Sequence, residues 1–182
     1  MAWQDVPAFY ATLSNLTVTH LALRLLILTG LRSGPVRKCD VNQIDGDVWT
    51  IPGMIMKGRK GKTPDFRVPL STEAIRIIQD VRPHEKNGFL FPSRSGTPIS
   101  DMTMSRLMER RGLAERPHGF RSSLQDWLAE KANASTEVAE TILAHPTGNQ
   151  VTRAYLRSDF LEQRREFMER WAHYISGQDD SK

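Results

Sequence analysis

Between Val18 and Leu31 apolar side chains crowd the chain: Leu21, Leu23, Leu25, Leu26, Ile27 and Leu28 leave Arg24 as the charged interruption. A segment apolar on every side predicts a helix buried all round. Gly30 falls where helices commonly end, because glycine takes the left-handed backbone conformation without a Cβ penalty. A short helix is predicted earlier, from Val6-Pro7-Ala8-Phe9-Tyr10. Another is predicted after Ser33-Gly34, with Pro35 at its first position, where a missing N–H costs nothing.

The period then changes. Asp45-Gly46-Asp47 is turn chemistry, and Val48-Trp49-Thr50-Ile51-Pro52 alternates as a strand does. Met54-Ile55-Met56-Lys57 and Phe66-Arg67-Val68-Pro69-Leu70 are predicted to flank a loop rich in Gly and Lys, Gly58 to Pro64. Together these make a small antiparallel sheet whose longest hairpin loop is basic. Ser71 is a candidate N-cap for a helix carrying Ala74, Ile75, Ile77, Ile78 and Val81 on one face. Gly88 to Pro92 reads as a short extended piece, and further helices are predicted to start near Ser100, His118, Ser135 and Ser158. The pattern gives one α+β domain over residues 1–182, mostly helical with a small antiparallel sheet.

Composition narrows the class. The 182 residues are 39% hydrophobic and 25% charged, without a long Gly/Ser/Pro tract, which excludes a disordered or fibrous chain. The longest apolar run falls short of the roughly 20 residues that span a membrane. Met1-Ala2-Trp3-Gln4-Asp5 lacks the basic region and apolar stretch of a secretory signal, so a cytoplasmic location is expected. The single cysteine, Cys39, leaves no intramolecular disulfide and no multi-cysteine zinc site.

The net charge is only +4, but its distribution matters more. Lys57, Arg59, Lys60, Lys62 and Arg67 stand against Asp65 alone. Arg106, Arg110, Arg111, Arg116 and Arg121 face only Glu109 and Glu115. Positive charge gathered in two segments points to a polyanion, most commonly nucleic acid.

The five histidines are scattered, without an HExxH or CxxC pattern, and the chain has neither a Gly-x-x-x-x-Gly-Lys-Ser/Thr loop nor a Gly-x-Ser-x-Gly elbow. This argues against a nucleotide-fuelled or metal-centred enzyme. Cations and a tyrosine remain. Arg32 lies just past the buried helix, in Thr29-Gly30-Leu31-Arg32-Ser33-Gly34. His118 and Arg121 form His-x-x-Arg at a predicted helix start, which places both on one helical face beside N-terminal N–H groups that favour an anion. His145 follows Leu143-Ala144, and Tyr155 lies in Ala154-Tyr155-Leu156-Arg157. Taken singly, each has an ordinary reading as a surface cation, a helix end or a core aromatic.

In this order the words Thr29-Gly30-Leu31-Arg32-Ser33-Gly34, the basic hairpin, Arg67-Val68-Pro69-Leu70-Ser71, His118-Gly119-Phe120-Arg121, Leu143-Ala144-His145 and Ala154-Tyr155-Leu156-Arg157 resemble the catalytic domain of tyrosine recombinases, the phage-type integrases. The phrasing is most similar to integrases of prophages and genomic islands, and the likeness covers residues 6–175. It implies the tyrosine recombinase catalytic-domain fold and a single catalytic domain, taken from a longer integrase whose core-binding and arm-binding N-terminal domains are not in this sequence.

The resemblance also implies a catalytic set of Arg32, Lys57, His118, Arg121, His145 and Tyr155, with no metal and no nucleotide cofactor. Two guanidiniums suit the charge that spreads over the non-bridging oxygens of a phosphodiester in displacement. Tyr155 is the implied nucleophile, forming a 3′-phosphotyrosyl link, and His118 its proton acceptor. Lys57 is the preferred general acid for the leaving 5′-oxygen, because it follows the predicted strand Met54-Ile55-Met56. Lys60 and Lys62 are its rivals, and with Arg59 are otherwise DNA-phosphate contacts. His145 is expected to donate a hydrogen bond to the phosphate.

Implied partners are double-stranded DNA attachment sites, further integrase protomers forming a tetramer in the synaptic complex, and accessory DNA-bending or excisionase proteins. The implied location is bacterial, cytoplasmic and nucleoid-associated. The sequence departs from the family at Pro35, where an acidic residue usually follows the first arginine by three positions. A degenerate DNA-binding module and a type IB topoisomerase-like activity are the alternatives. Finally, Phe160, Leu161, Phe167, Met168, Trp171 and Ile175 trace an apolar stripe on a C-terminal amphipathic helix over residues 158–177, suited to packing on its own domain or on a neighbouring protomer.

Overall fold

A computed structural model describes residues 1–56, 63–145 and 159–177. Its centre is helix α2 (Val18–Thr29), in which every residue from His20 to Thr29 is buried. The Thr17 side chain accepts the His20 N–H at the start, and Gly30 closes the end with φ +61° and an N–H to Leu26 O. Gly30 is required twice over: a Cβ there would also stand 2.5 Å from Leu124 Cδ2.

Around α2 are α1 (Val6–Ala11), α3 (Ser33–Arg37), α4 (Thr72–Val81), α5 (Thr103–Arg110), α6 (Phe120–Glu130), α7 (Thr136–Ile142) and α8 (Leu161–Ser176). The core contacts of α2 run to α3, α4, α5, α6 and α8. Ser71 caps α4 and Ser135 caps α7, each accepting the N–H three residues on. Helix α3 begins at Ser33, so Pro35 is its third residue rather than its first; that position is still one where an N–H has no partner within the helix, so proline's lack of one costs nothing. The predicted start at His118 is a 3-10 turn, Pro117–Gly119, which leads into α6.

The sheet has order β1-β2-β3, all antiparallel: β1 (Ile44–Asp45), β2 (Val48–Ile51) and β3 (Phe66–Pro69). Trp49 and Ile51 point into the core from β2, with Trp49 opposite Val68. The predicted strand at Met54-Ile55-Met56-Lys57 does not form over its described part. Ile55 N–H donates to Pro52 O and Met56 N–H to Gly53 O, a pair of successive turns. The cause is local: the Asp65 carboxylate takes the Gly53 N–H at 2.9 Å, and Gly53 passes so close to Thr63 that no side chain fits. The ladder therefore closes at Ile51–Phe66.

Helix α8 begins at Leu161, after Phe160 in the left-handed conformation; Ser158 lies outside the described residues. Its apolar stripe packs on its own chain, against α1, α2, α4 and β3. Met168, Trp171, Ala172 and Ile175 are buried there, and Trp171 Nε1 donates to Ile27 O at 2.9 Å. Among the described residues no helix is long and apolar enough to cross a membrane.

One polar cluster sits inside this packing. Arg24, the interruption in the apolar run, donates to Glu73 Oε1 at 2.8 Å; Tyr10 OH and Arg76 donate to the same carboxylate. The Arg24 guanidinium also lies 4.7 Å from the Tyr10 ring centroid.

Candidate active site

The left-handed turn at Gly30 does more than end α2. Its carbonyl accepts a hydrogen bond from Arg121 Nη1 at 2.5 Å, so the first turn of α6 is tied to the end of α2. Arg121 is 4% exposed, and its Nη2 donates both to Leu143 O at 2.6 Å and to His145 Nε2 at 3.0 Å. Three of its five N–H groups are thus committed to bracing. Arg32, half-buried at the N-cap of α3, bears on Arg121 through space. Burial first, and then the Arg32 charge, push the Arg121 guanidinium down to about 10, with Glu140 partly offsetting them. Two cations that feel each other's charge, one of them desolvated, favour an anion at the site.

Helix α7 delivers His145. Ala144 takes φ +49°, its N–H donates to Thr141 O, and the His145 N–H reaches back to Glu140 O at 2.9 Å. This is a Schellman end, with alanine where glycine is usual. The same Glu140 receives the side chain, His145 Nδ1 lying 2.7 Å from Glu140 Oε2. An arginine only donates, so Nε2 is an acceptor here and the proton sits on Nδ1, facing Glu140. Donating from Nε2 to a phosphate, the role expected from the sequence, requires a proton on that nitrogen, through either a second ring proton or the Nε2–H form.

The structure therefore gathers Arg32, Arg121 and His145 from three distant segments. His118 precedes Arg121 in the 3-10 turn and is exposed, whereas Arg121 is buried. Lys57, Arg59, Lys60, Lys62 and Tyr155 lie outside the described residues. Because β2 ends at Ile51, a strand end no longer singles out Lys57 from Lys60 and Lys62, and the motif alone favours it.

Pro35 is buried in α3, and the carboxylate that meets His145 comes from α7 instead. Glu140 escaped the sequence reading; its signal was an acid five residues before His145, a spacing that only a helix end folds back on itself. Among the described residues no three His, Cys, Asp or Glu side chains group as metal ligands.

The phage integrase family model matches residues 1–162. The chain belongs to the phage integrase family. Prophage integrase IntA of Escherichia coli (strain K12) is 33% identical over 174 residues, covering 93% of this chain and 41% of that protein. Prophage integrase IntZ of the same strain is also 33% identical, over 187 residues, covering 96% and 45%. This family member therefore spans less than half the length of these curated relatives.

Among solved structures, the integrase from mycobacterium phage Brujita superposes with a TM-score of 0.69 at 20% identity, over 93% of this chain and 56% of that one. The lambda integrase catalytic core gives 0.57 at 17% identity, over 80% and 91%. At such identities the likeness speaks for the integrase fold, which matches the mostly helical α+β class read from the sequence.

Proposed function

We propose that this chain is the catalytic part of a site-specific DNA recombinase of the prophage or genomic-island kind, cutting and rejoining strands for integration and excision. The observation that carries the reading is the buried, braced Arg121 beside Arg32, a cation pair built for an anion, within a chain of this family.

In this reading the two guanidiniums hold the non-bridging oxygens of the scissile phosphate. The Tyr155 oxygen attacks phosphorus and gives up its proton to His118. The bond from phosphorus to the 5′-oxygen breaks, and Lys57 protonates that oxygen. The product is a 3′-phosphotyrosyl link and a free 5′-hydroxyl. An incoming 5′-hydroxyl reverses the steps, so the phosphodiester is conserved and no nucleotide is consumed. His145 lies against the same phosphate, and Arg59, Lys60 and Lys62 contact the DNA backbone.

Double-stranded attachment sites are the proposed substrates, with further protomers assembling on them and accessory DNA-bending or excisionase proteins biasing direction. A lambda integrase tetramer bound to a Holliday junction and a dimer bound to a core site are among the structural neighbours, which supports the DNA and protomer partners. The proposed location is the bacterial cytoplasm, on the nucleoid.

The test is covalent trapping in EDTA on a nicked suicide duplex that carries the attachment core of the element's own ends. The chain and its Tyr155→Phe form are compared, alone and within the longer integrase. The reading requires a denaturant-stable protein–DNA adduct that the Tyr155→Phe form lacks. DNA binding without any adduct in either setting overturns it in favour of a non-catalytic binding module.

A further inference from the structure

Glu140 is bound to His145 twice. Its backbone carbonyl accepts the His145 N–H, and its carboxylate accepts the Nδ1 proton. The first contact fixes where the ring begins and the second fixes its rotation, so the imidazole has little freedom left. Its other nitrogen meets an arginine that is itself 4% exposed and held by two carbonyls.

This chain of contacts has a direction. An imidazole in its Nε2–H form would face Arg121 Nη2 with a donor against a donor at 3.0 Å, and one of the two groups would have to move. Keeping the proton on Nδ1 removes that conflict and turns Nε2 into the third acceptor that orients the guanidinium. A carboxylate at Nδ1 is what selects this form, since the tautomer of one nitrogen is set by the hydrogen bond of the other. We infer that Glu140 is a positioning residue: it fixes the tautomer and orientation of His145, and through His145 Nε2 it aligns Arg121 for the phosphate.

Among the described residues, the groups that meet the ring are the Glu140 carboxylate on α7 and the Arg121 guanidinium on α6, with the Arg32 charge acting on Arg121 from the start of α3. The carboxylate also supplies negative charge that partly offsets the burial of the Arg121 guanidinium and the Arg32 charge beside it. A neutral hydrogen-bond acceptor at the same place preserves the tautomer. A side chain that cannot accept does not. The Glu140→Gln and Glu140→Ala forms therefore separate orientation from simple removal.

The functional half of this inference rests on the proposed strand-transfer reading; the tautomer half does not. The experiment is a long-range proton–nitrogen NMR spectrum of the histidine rings in the full 182-residue chain, assigned to His145 by a His145→Gln control. The inference requires His145 Nδ1 to carry the proton and Nε2 to be bare in the parent and in Glu140→Gln. In Glu140→Ala the ring loses the contact that fixes its rotation and is free to turn away from Arg121, so the Nε2–H form must become populated.

Trapping on the suicide duplex supplies the second readout. Glu140→Ala is expected to cleave about 10- to 100-fold more slowly at unchanged DNA affinity, whereas Glu140→Gln stays within a few-fold of the parent. An Nε2–H ring in the parent overturns the inference. So does a Glu140→Ala form whose tautomer matches the parent's. The expected tautomers in a parent that never cleaves leave Glu140 as the residue that orients His145 and Arg121, and sink the proposed function instead.

Discussion

Arg67 grips Asp159 through two parallel hydrogen bonds, 2.9 Å from Nε and 2.7 Å from Nη2. Arg67 stands in β3 opposite Thr50, and Asp159 is the fourth residue after Tyr155. Asp159 is thus tied to β3 only four residues along the chain from the proposed nucleophile. Arg164 reinforces it from beneath, donating to Arg67 O at 2.7 Å and lying 4.7 Å from the Phe66 ring centroid.

Asp159→Asn and Arg67→Gln are each expected to slow covalent trapping about tenfold, with melting nearly unchanged because both partners are half-exposed. The exchanged pair, Arg67→Asp with Asp159→Arg, should recover part of that loss. Burial alone would raise the Asp159 carboxyl, but the Arg67 hydrogen bonds and the charges of Arg67 and Arg164 outweigh it and hold it below its ordinary value. The pair's contribution is therefore present above the usual carboxylate range and is lost as pH falls through the depressed value.

The cluster at Glu73 is expected to contribute to both the acid and the alkaline limb of unfolding. Tyr10, Arg24 and Glu73 are 3%, 8% and 7% exposed. Removing the carboxylate in Glu73→Ala strands a buried guanidinium, and should cost about 3–5 kcal/mol in urea unfolding at neutral pH.

Burial pushes the Glu73 carboxyl up, yet hydrogen bonds from Arg76 and Tyr10 and the charges of Arg76 and Arg24 carry it below its ordinary 4.5. Its stabilisation is present above that value and fades as pH drops through the folded one. For the Tyr10 phenol burial prevails instead, holding it well above its ordinary 10.0. That contribution holds below the ordinary value and is lost as pH rises past it. Unfolding measured across pH should show both limbs in the parent, and a flattened acid limb in Glu73→Ala.

Gly30→Ala should be among the most damaging single-methyl changes. Its φ of +61° costs an alanine about 1–2 kcal/mol. The new Cβ also stands 2.5 Å from Leu124 Cδ2, adding about 1–3 kcal/mol of overpacking. Because the Gly30 carbonyl holds Arg121, cleavage should fall further than melting alone accounts for. Urea titration beside the trapping assay checks both.

Ala144 is the converse case. It occupies φ +49° at the end of α7, so Ala144→Gly should stabilise the chain by about 0.5–1 kcal/mol, the relief of strain exceeding the entropy that glycine loses. Thermal unfolding reads this directly, and His145 should keep its tautomer.

Helix α2 was legible because its apolar residues run on every side, and its end because Gly30 suits the backbone it adopts. The sheet was legible only where polar and apolar residues alternate. Met54-Ile55-Met56 misleads because an apolar run implies burial, whereas Met54 is 86% exposed and the chain there is turned by Asp65 reaching back twelve residues to Gly53. Arg32, His118, Arg121 and His145 stood out through the words around them. Glu140 did not, since its meeting with His145 depends on a left-handed alanine between them, and no helical or strand periodicity brings residues five apart together.

Trp171 holds a carbonyl of α2 that has no partner in its own helix, because Gly30 stops α2 three residues after Ile27. A copy that lent α8 to its neighbour would have to draw a fully buried indole out of its own centre and leave that carbonyl bare until the loan was returned. Exchange of this helix between molecules is therefore coupled to opening the middle of the lender.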